Sequence, residues 1–137
     1  MADIVSRSKR TEIMSSVKQR HTKPEIAVRK ILHRHGFRFR LHNKKLPGTP
    51  DIVLPKHKAV IFVHGCFWHQ HERCRKSRRP TSNIEFWDKK LDRNIVRDSQ
   101  KESELKNSGW KVLIIWDCEI KDEELLIKKV EYFLHAK

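Results

Sequence analysis

No hydrophobic run in this sequence approaches the roughly 20 residues that cross a bilayer, which excludes a membrane-spanning helix. The N-terminus lacks the apolar stretch of a secretory signal, so a cytoplasmic location is expected. Acids are in the minority: 17 Asp and Glu face 31 Lys and Arg, a formal net charge of +14. That excess resists self-association and calls for a polyanionic partner, nucleic acid before an anionic membrane surface. The basic residues run the length of the chain and do not collect in one tail, so they describe a charged face of a folded domain. Cysteine is scarce and odd in number, at three. In a cytoplasmic chain such cysteines point to metal ligands or buried thiols before disulfides. Internal repeats and linker-like segments are lacking. With 137 residues, 37% of them hydrophobic, one domain with one modest core is expected.

Two apolar runs dominate what is present. Pro50-Asp51-Ile52-Val53-Leu54 and Ala59-Val60-Ile61-Phe62-Val63 read as neighbouring strands, joined by Pro55-Lys56-His57-Lys58. The second run is continuous, which predicts a central strand covered on both faces. Before them, Thr22-Lys23-Pro24-Glu25 is a helix start, with Thr22 as cap and Pro24 tolerated in the first turn. Ala27, Val28, Ile31, Leu32 and His35 make its stripe, and Gly36 stops it. Glu25 falls near the buried side, either as a capping-box acid or as a carboxylate aimed at the strand ends, or both. Phe37 to His42 alternates strictly, predicting a strand with Phe37, Phe39 and Leu41 on one face and Arg38, Arg40 and His42 on the other. After the central strand, residues 65–82 read as a structured loop, followed by a helix from Ser82 or Asn83. Trp87, Leu91, Ile95, Asp98, Glu102 and Leu105 share one side of that helix, and Gly109 ends it. Trp110 to Trp116 is the most hydrophobic strand. Asp122 then caps a last helix with Leu125, Leu126, Val130, Phe133 and Leu134 as its apolar side. The order predicts an α/β sandwich around one central mixed sheet. Residues 1–22 are polar and basic, either a solvated terminus, slightly favoured on composition, or an arm that orders on a polyanion.

Three constellations carry chemistry. Asp51 and His64 lie 13 residues apart, which suits adjacent strands meeting at one end of the sheet. Burying either group unpaired costs about 2–7 kcal/mol, and a hard cation with a phosphate ligand would supply partners. Such a cation lowers the pKa of an attacking water, and a histidine beside it moves the proton. The bland alternative is a turn-starting Asp and a satisfied core His. Second, Cys66, His71 and Cys74, with the distant Cys118, have the composition of a Cys3His zinc tetrahedron. The alternative is three buried thiols, disfavoured because the first two sit in a polar loop. His69 competes with His71 as the nitrogen ligand, and local spacing leaves the choice open. Third, Phe67, Trp68 and Trp87 are interleaved with Lys and Arg. They either pack the small core or stack between bases, where each base contact is worth roughly 1–3 kcal/mol.

Several segments together resemble one family. Leu46-Pro47-Gly48-Thr49-Pro50-Asp51, Val60-Ile61-Phe62-Val63-His64-Gly65-Cys66-Phe67-Trp68-His69, Glu85-Phe86-Trp87 and Gly109 to Cys118 are similar to the very-short-patch repair (Vsr) DNA mismatch endonucleases. The resemblance runs from about Arg7 to about Phe133 with its motifs in order. It implies a restriction-endonuclease-like core with a zinc-bound loop, here with Phe62-Val63-His64 where that superfamily carries acid-x-Lys. It implies a Mg²⁺-dependent nickase that cuts one strand 5′ of the mismatched T in T·G mispairs left by 5-methylcytosine deamination. Carried over by match, Asp51 and the backbone carbonyl of Val63 bind Mg²⁺. Val63 stands where a Thr is familiar, a change of little consequence to a backbone ligand. His64, His69, Glu25 and Asp98 complete the catalytic set. His69 paired with Asp98 acts on the water or proton side, and His64 holds the scissile phosphate. Cys66, His71, Cys74 and Cys118 bind structural zinc. Phe67, Trp68 and Trp87 wedge from the major groove, and Met14 presses from the other side. The same resemblance makes residues 1–22 an N-terminal DNA-binding arm and 23–137 a single endonuclease domain. It implies a monomer, since one asymmetric lesion needs one site, in a bacterial-type cytoplasm and at the nucleoid when on DNA. A non-catalytic zinc-stabilised DNA-binding module and a nickase with another mismatch or a restriction-associated target are the competing expectations.

Overall fold

A computed structural model describes residues 22–135. Met14 and nearly all of the N-terminal arm lie outside the described residues. The first helix, α1, spans Lys23–Arg34. The backbone N–H of Glu25 donates to Thr22 Oγ1 at 3.3 Å, so Thr22 caps it as the sequence predicts. His35, assigned to the buried stripe, is exposed instead, and its Nε2 lies 3.0 Å from Glu123 on the last helix.

Four strands follow in spatial order β1-β2-β3-β4: β1 Arg40–Leu41, β2 Ile52–Leu54, β3 Ala59–His64 and β4 Lys111–Trp116. The first three are antiparallel neighbours, whereas β3 and β4 run parallel, with Ala59 opposite Lys111 and His64 opposite Trp116. A parallel pair needs a crossover. Here it consists of the loop after β3 and the long helix α2, Ile84–Asn107. A final helix, α3, spans Glu123–His135, and Asp122 Oδ1 accepts from the N–H of Leu125 in its first turn.

The sheet is covered on both faces. On one side Val28, Ile31 and Leu32 of α1 and Leu126, Ile127, Val130 and Leu134 of α3 pack on Ile52, Leu54, Ala59, Ile61, Leu113 and Ile115. On the other, Leu105 of α2 meets Val53 and Val60, with Leu46, Phe62, Trp110 and Val112 alongside. The expected mixed sheet flanked by helices is therefore present. Gly48, with φ +74, lets the loop before β2 approach α2. A Cβ there would stand 3.0 Å from the Lys101 Cβ.

Three local expectations need correction. The alternating run from Phe37 forms only a two-residue strand. Phe37 and Phe39 do pack on the core, but Leu41 is exposed and His42 is turned inward by a left-handed φ of +44°. On α2 the buried position is Asn94, not Ile95, because Asn94 Nδ2 reaches the carbonyl oxygen of Trp68 at 3.0 Å. On α3 Leu125 is exposed and Ile127 takes its place in the core. No helix is long and apolar enough to cross a membrane among the described residues.

Candidate active site and metal cluster

The C-terminal end of β3 gathers the site. Asp51 lies just before β2, whose antiparallel pairing sets it beside the end of β3. Its Oδ2 accepts the backbone N–H of Val63 at 2.7 Å. Asp51 is buried, and loss of water is the main effect on its carboxyl group. The Val63 N–H and the Arg29 charge oppose that effect, and the pKa is pushed up to about 6. Around it stand Glu25 from α1 and His42 from the end of β1. The ligand atoms of these three residues lie within 4.8 Å of one another. Glu25 is 1% exposed and ion-paired with Arg29, one helical turn on. His42 Nε2 lies 2.8 Å from Glu25 Oε2 and 3.9 Å from Asp51 Oδ1. Alternation along the sequence puts His42 on the face with Arg38 and Arg40 and gives it no role in the site. Only the cross-strand position of residue 42 opposite Asp51 would have signalled its place.

The next residue along β3 begins a second group. His64 is buried, and its ring stacks on His69, with centroids 3.7 Å apart and planes 7° from parallel. His69 Nδ1 is 2.5 Å from Asp98 Oδ2, so α2 supplies the acid that orients this ring. His64 Nδ1 is buried with no hydrogen-bond partner among the described residues. Burial first, then the neighbouring His69, push the His64 pKa down to about 3, while Asp98 pulls the other way. Glu25 and Asp51 thus stand with His42, whereas Asp98 stands with His64 and His69. The two groups meet at the Val63–His64 step of one strand.

The opposing shifts predict a measurable acid response. A histidine held neutral when folded contributes stability at neutral pH, and this is lost as pH falls below its unfolded value of about 6.5. The raised Asp51 has the reverse sign, since its folded carboxyl binds a proton that the unfolded chain lacks between about 4 and 6. In urea unfolding, the His64→Gln variant should therefore lose about 2 kcal/mol less than the parent between pH 7 and 5.

Beyond β3 and β4, Cys66, His71, Cys74 and Cys118 bring their ligand atoms within 4.8 Å of one another. His71, and not His69, turns to the cysteines. Its Nδ1 is 3.6 Å from Cys66 Sγ and 3.4 Å from Cys118 Sγ. Zinc–sulfur and zinc–nitrogen bonds of about 2.3 and 2.0 Å at a tetrahedral angle give an edge of roughly 3.5 Å. The donor set and its spacing therefore fit a structural zinc ion. The parallel register explains the meeting: His64 pairs with Trp116, and Cys66 and Cys118 each lie two residues further on. Burial, and then a hydrogen bond donated to Asp117, push the Cys66 thiol well above its usual pKa. Stacking on Trp116 at 4.2 Å holds the His71 ring.

Phe67, Trp68 and Trp87 cluster with ring centroids 5.2–5.9 Å apart, and Lys90 Nζ lies 5.9 Å from the Trp68 ring. A brace not anticipated from the sequence fixes this loop to α2. Arg79 bonds Gln70, Asp88 and Asp92 at 2.9, 2.9 and 2.7 Å, and Gln70 Nε2 donates to the carbonyl of Phe67. Its signal in the sequence is the basic run of residues 75–79 before the acids of α2.

This mixed sheet, with acids and histidines at its strand ends, has an endonuclease fold. The catalytic domain of the homing endonuclease I-Bth0305I superposes with a TM-score of 0.56, covering 82% of this chain and 93% of that one at 25% identity. Residues 2–76 match the family described as DNA mismatch endonuclease Vsr. The Type II nicking enzyme V.XorIIP of Xanthomonas oryzae pv. oryzae is 48% identical over 122 residues, 89% of each chain. The DNA mismatch endonuclease Vsr of Escherichia coli is 38% identical over 126 residues, 92% of this chain and 80% of that one. The chain belongs to the Vsr family and is a DNA nicking endonuclease.

Proposed function

We propose that this protein nicks one strand of duplex DNA 5′ of the mismatched T in a T·G mispair, starting very-short-patch repair with Mg²⁺ as cofactor. The observation that carries the reading is the junction at Val63–His64, where a buried carboxylate and a histidine–aspartate pair share one strand end. A buried carboxylate beside a second acid is a hard-cation donor set, so the residues fit Mg²⁺. Asp51 and the Val63 carbonyl would hold it, with Glu25 close by. Bound there, Mg²⁺ would polarise the scissile phosphoryl group and acidify the attacking water.

The chain's own groups do the remainder. Asp98 fixes the tautomer of His69 by accepting at Nδ1, which leaves Nε2 to exchange a proton with water. His64, buried and stacked on that ring, presents a nitrogen to the phosphate. The His71 and cysteine cluster, loaded with Zn²⁺, holds the loop after β3 rigid. Phe67, Trp68 and Trp87 then enter the duplex from the major groove, opposite Met14, with stacking worth roughly 1–3 kcal/mol per base. One catalytic corner per chain makes one nick, and a monomer suffices. A second reading has support of its own. Relatives such as V.XorIIP are named Type II nicking enzymes, which favours a target set by a restriction context over general repair.

The test is a panel of end-labelled duplexes, perfect and with each mismatch, incubated with Mg²⁺ and resolved strand by strand. The expected product is a single break 5′ of the T in T·G, with the G strand intact. Failure to cut any duplex, or cutting of both strands, would refute the proposal. A break confined to another mismatch would favour the second reading.

A further inference from the structure

His42 has no part in the scheme above, yet it is built into its centre. Its side chain is 7% exposed, and Nε2 lies 2.8 Å from Glu25 Oε2 and 3.9 Å from Asp51 Oδ1. The β1–β2 register sets residue 42 across from Asp51, and the His42 N–H points at the Asp51 carbonyl at 3.4 Å. A left-handed φ of +44° turns the ring inward, a conformation uncommon for a residue with a Cβ. Asp51 commits Oδ2 to the Val63 N–H, so Oδ1, the oxygen on the His42 side, is the one left to aim. Partners of this kind, which orient a ligand without binding the ion, commonly carry a 10–100-fold share of metal affinity.

We propose that His42 is a positioning residue that spans Glu25 and Asp51 and sets both carboxylates for a divalent cation. The inference rests on the cation-site reading above and deepens it. The ring nitrogen faces Glu25 Oε2 at ion-pair distance, and the imidazole edge limits where Asp51 Oδ1 can turn. Gln carries an N–H at a similar reach, whereas Leu fills the space without one.

The test uses Mn²⁺ alone as probe, titrated by electron paramagnetic resonance into the zinc-loaded protein without DNA. In parallel, the Mg²⁺ concentration for half-maximal nicking and the metal-free DNA affinity are measured. His42→Leu, or His42→Ala if Leu fails to fold, should weaken Mn²⁺ binding at least tenfold and raise the Mg²⁺ requirement similarly. DNA affinity and the nicking rate at saturating Mg²⁺ should stay within about threefold, and His42→Gln should restore Mn²⁺ binding to that margin. Unchanged Mn²⁺ affinity in the Leu or Ala variant would overturn the proposal. Equal losses in the Gln and Leu variants would also overturn it, since they mark a direct nitrogen ligand. If the parent binds Mn²⁺ but nicks no duplex, the functional reading falls, while the Mn²⁺ comparison still decides on His42.

Discussion

Replacing Asp51 with asparagine should reduce nicking on the order of a thousandfold, about 4 kcal/mol of transition-state stabilisation, while leaving DNA affinity within a few-fold. The asparagine keeps an oxygen for the Val63 N–H, so the corner keeps the hydrogen bond that positions it. What it loses is the charge that would hold the cation. Stability separates this loss from misfolding. The folded carboxyl has its pKa raised to about 6, chiefly by burial. A raised acid destabilises the folded state as pH rises through that value, because the charged form is the buried one. The asparagine variant, which cannot ionise, should therefore melt at pH 7.5 at the same temperature as the zinc-loaded, Mg²⁺-free parent or higher, although inactive. Single-turnover nicking, fluorescence anisotropy and thermal melts on the same preparation check all three. Loss of nicking accompanied by a lower melting temperature would assign Asp51 to the core.

Converting Cys118 to serine should release the zinc ion and lower the melting temperature by more than 10 °C. Structural zinc sites are worth about 10–16 kcal/mol in small domains, comparable to the whole stability of a typical chain. The effect is large here because the cluster ties together the ends of the two parallel strands. Cys66 and Cys118 follow the paired residues His64 and Trp116, while His71 and Cys74 close the loop. Without the ion the Cys66 thiol sits buried against Asp117, a weak substitute for a metal bond. Metal content by mass spectrometry and melts with and without chelator should show one zinc per parent chain, and none with no further chelator response in the variant. A full complement of zinc in the variant would remove Cys118 from the site. Nicking should fall as well, since the loop that carries Phe67, Trp68 and His69 loses its anchor.

The strand ends that carry Asp51 and His64 are legible because β2, β3 and β4 are strongly apolar and bounded by turns. Asp51 and His64 fall at facing strand ends simply by residue count. The choice between His69 and His71 was open from spacing alone. It is decided by partners far along the chain, Asp98 on α2 and Cys118 after β4. His42 was hidden for a related reason. Strict alternation from Phe37 places it on one face with Arg38 and Arg40, but the strand lasts only two residues, and a left-handed φ turns the ring inward. Periodicity also missed Asn94, since an apolar count cannot register a polar residue satisfied by a distant carbonyl, that of Trp68. The Arg79 brace escaped notice because an exposed basic run before a helix ordinarily reads as solvated charge.

Crystals of the zinc-loaded protein grown with Mn²⁺, measured by anomalous scattering at the manganese edge, bear most directly on the corner where β2 begins and β3 ends. A manganese peak bonded to a carboxylate oxygen of Asp51 and to the carbonyl of Val63 is the predicted result. Manganese found only at the cysteine cluster, or none near Asp51, would contradict the account.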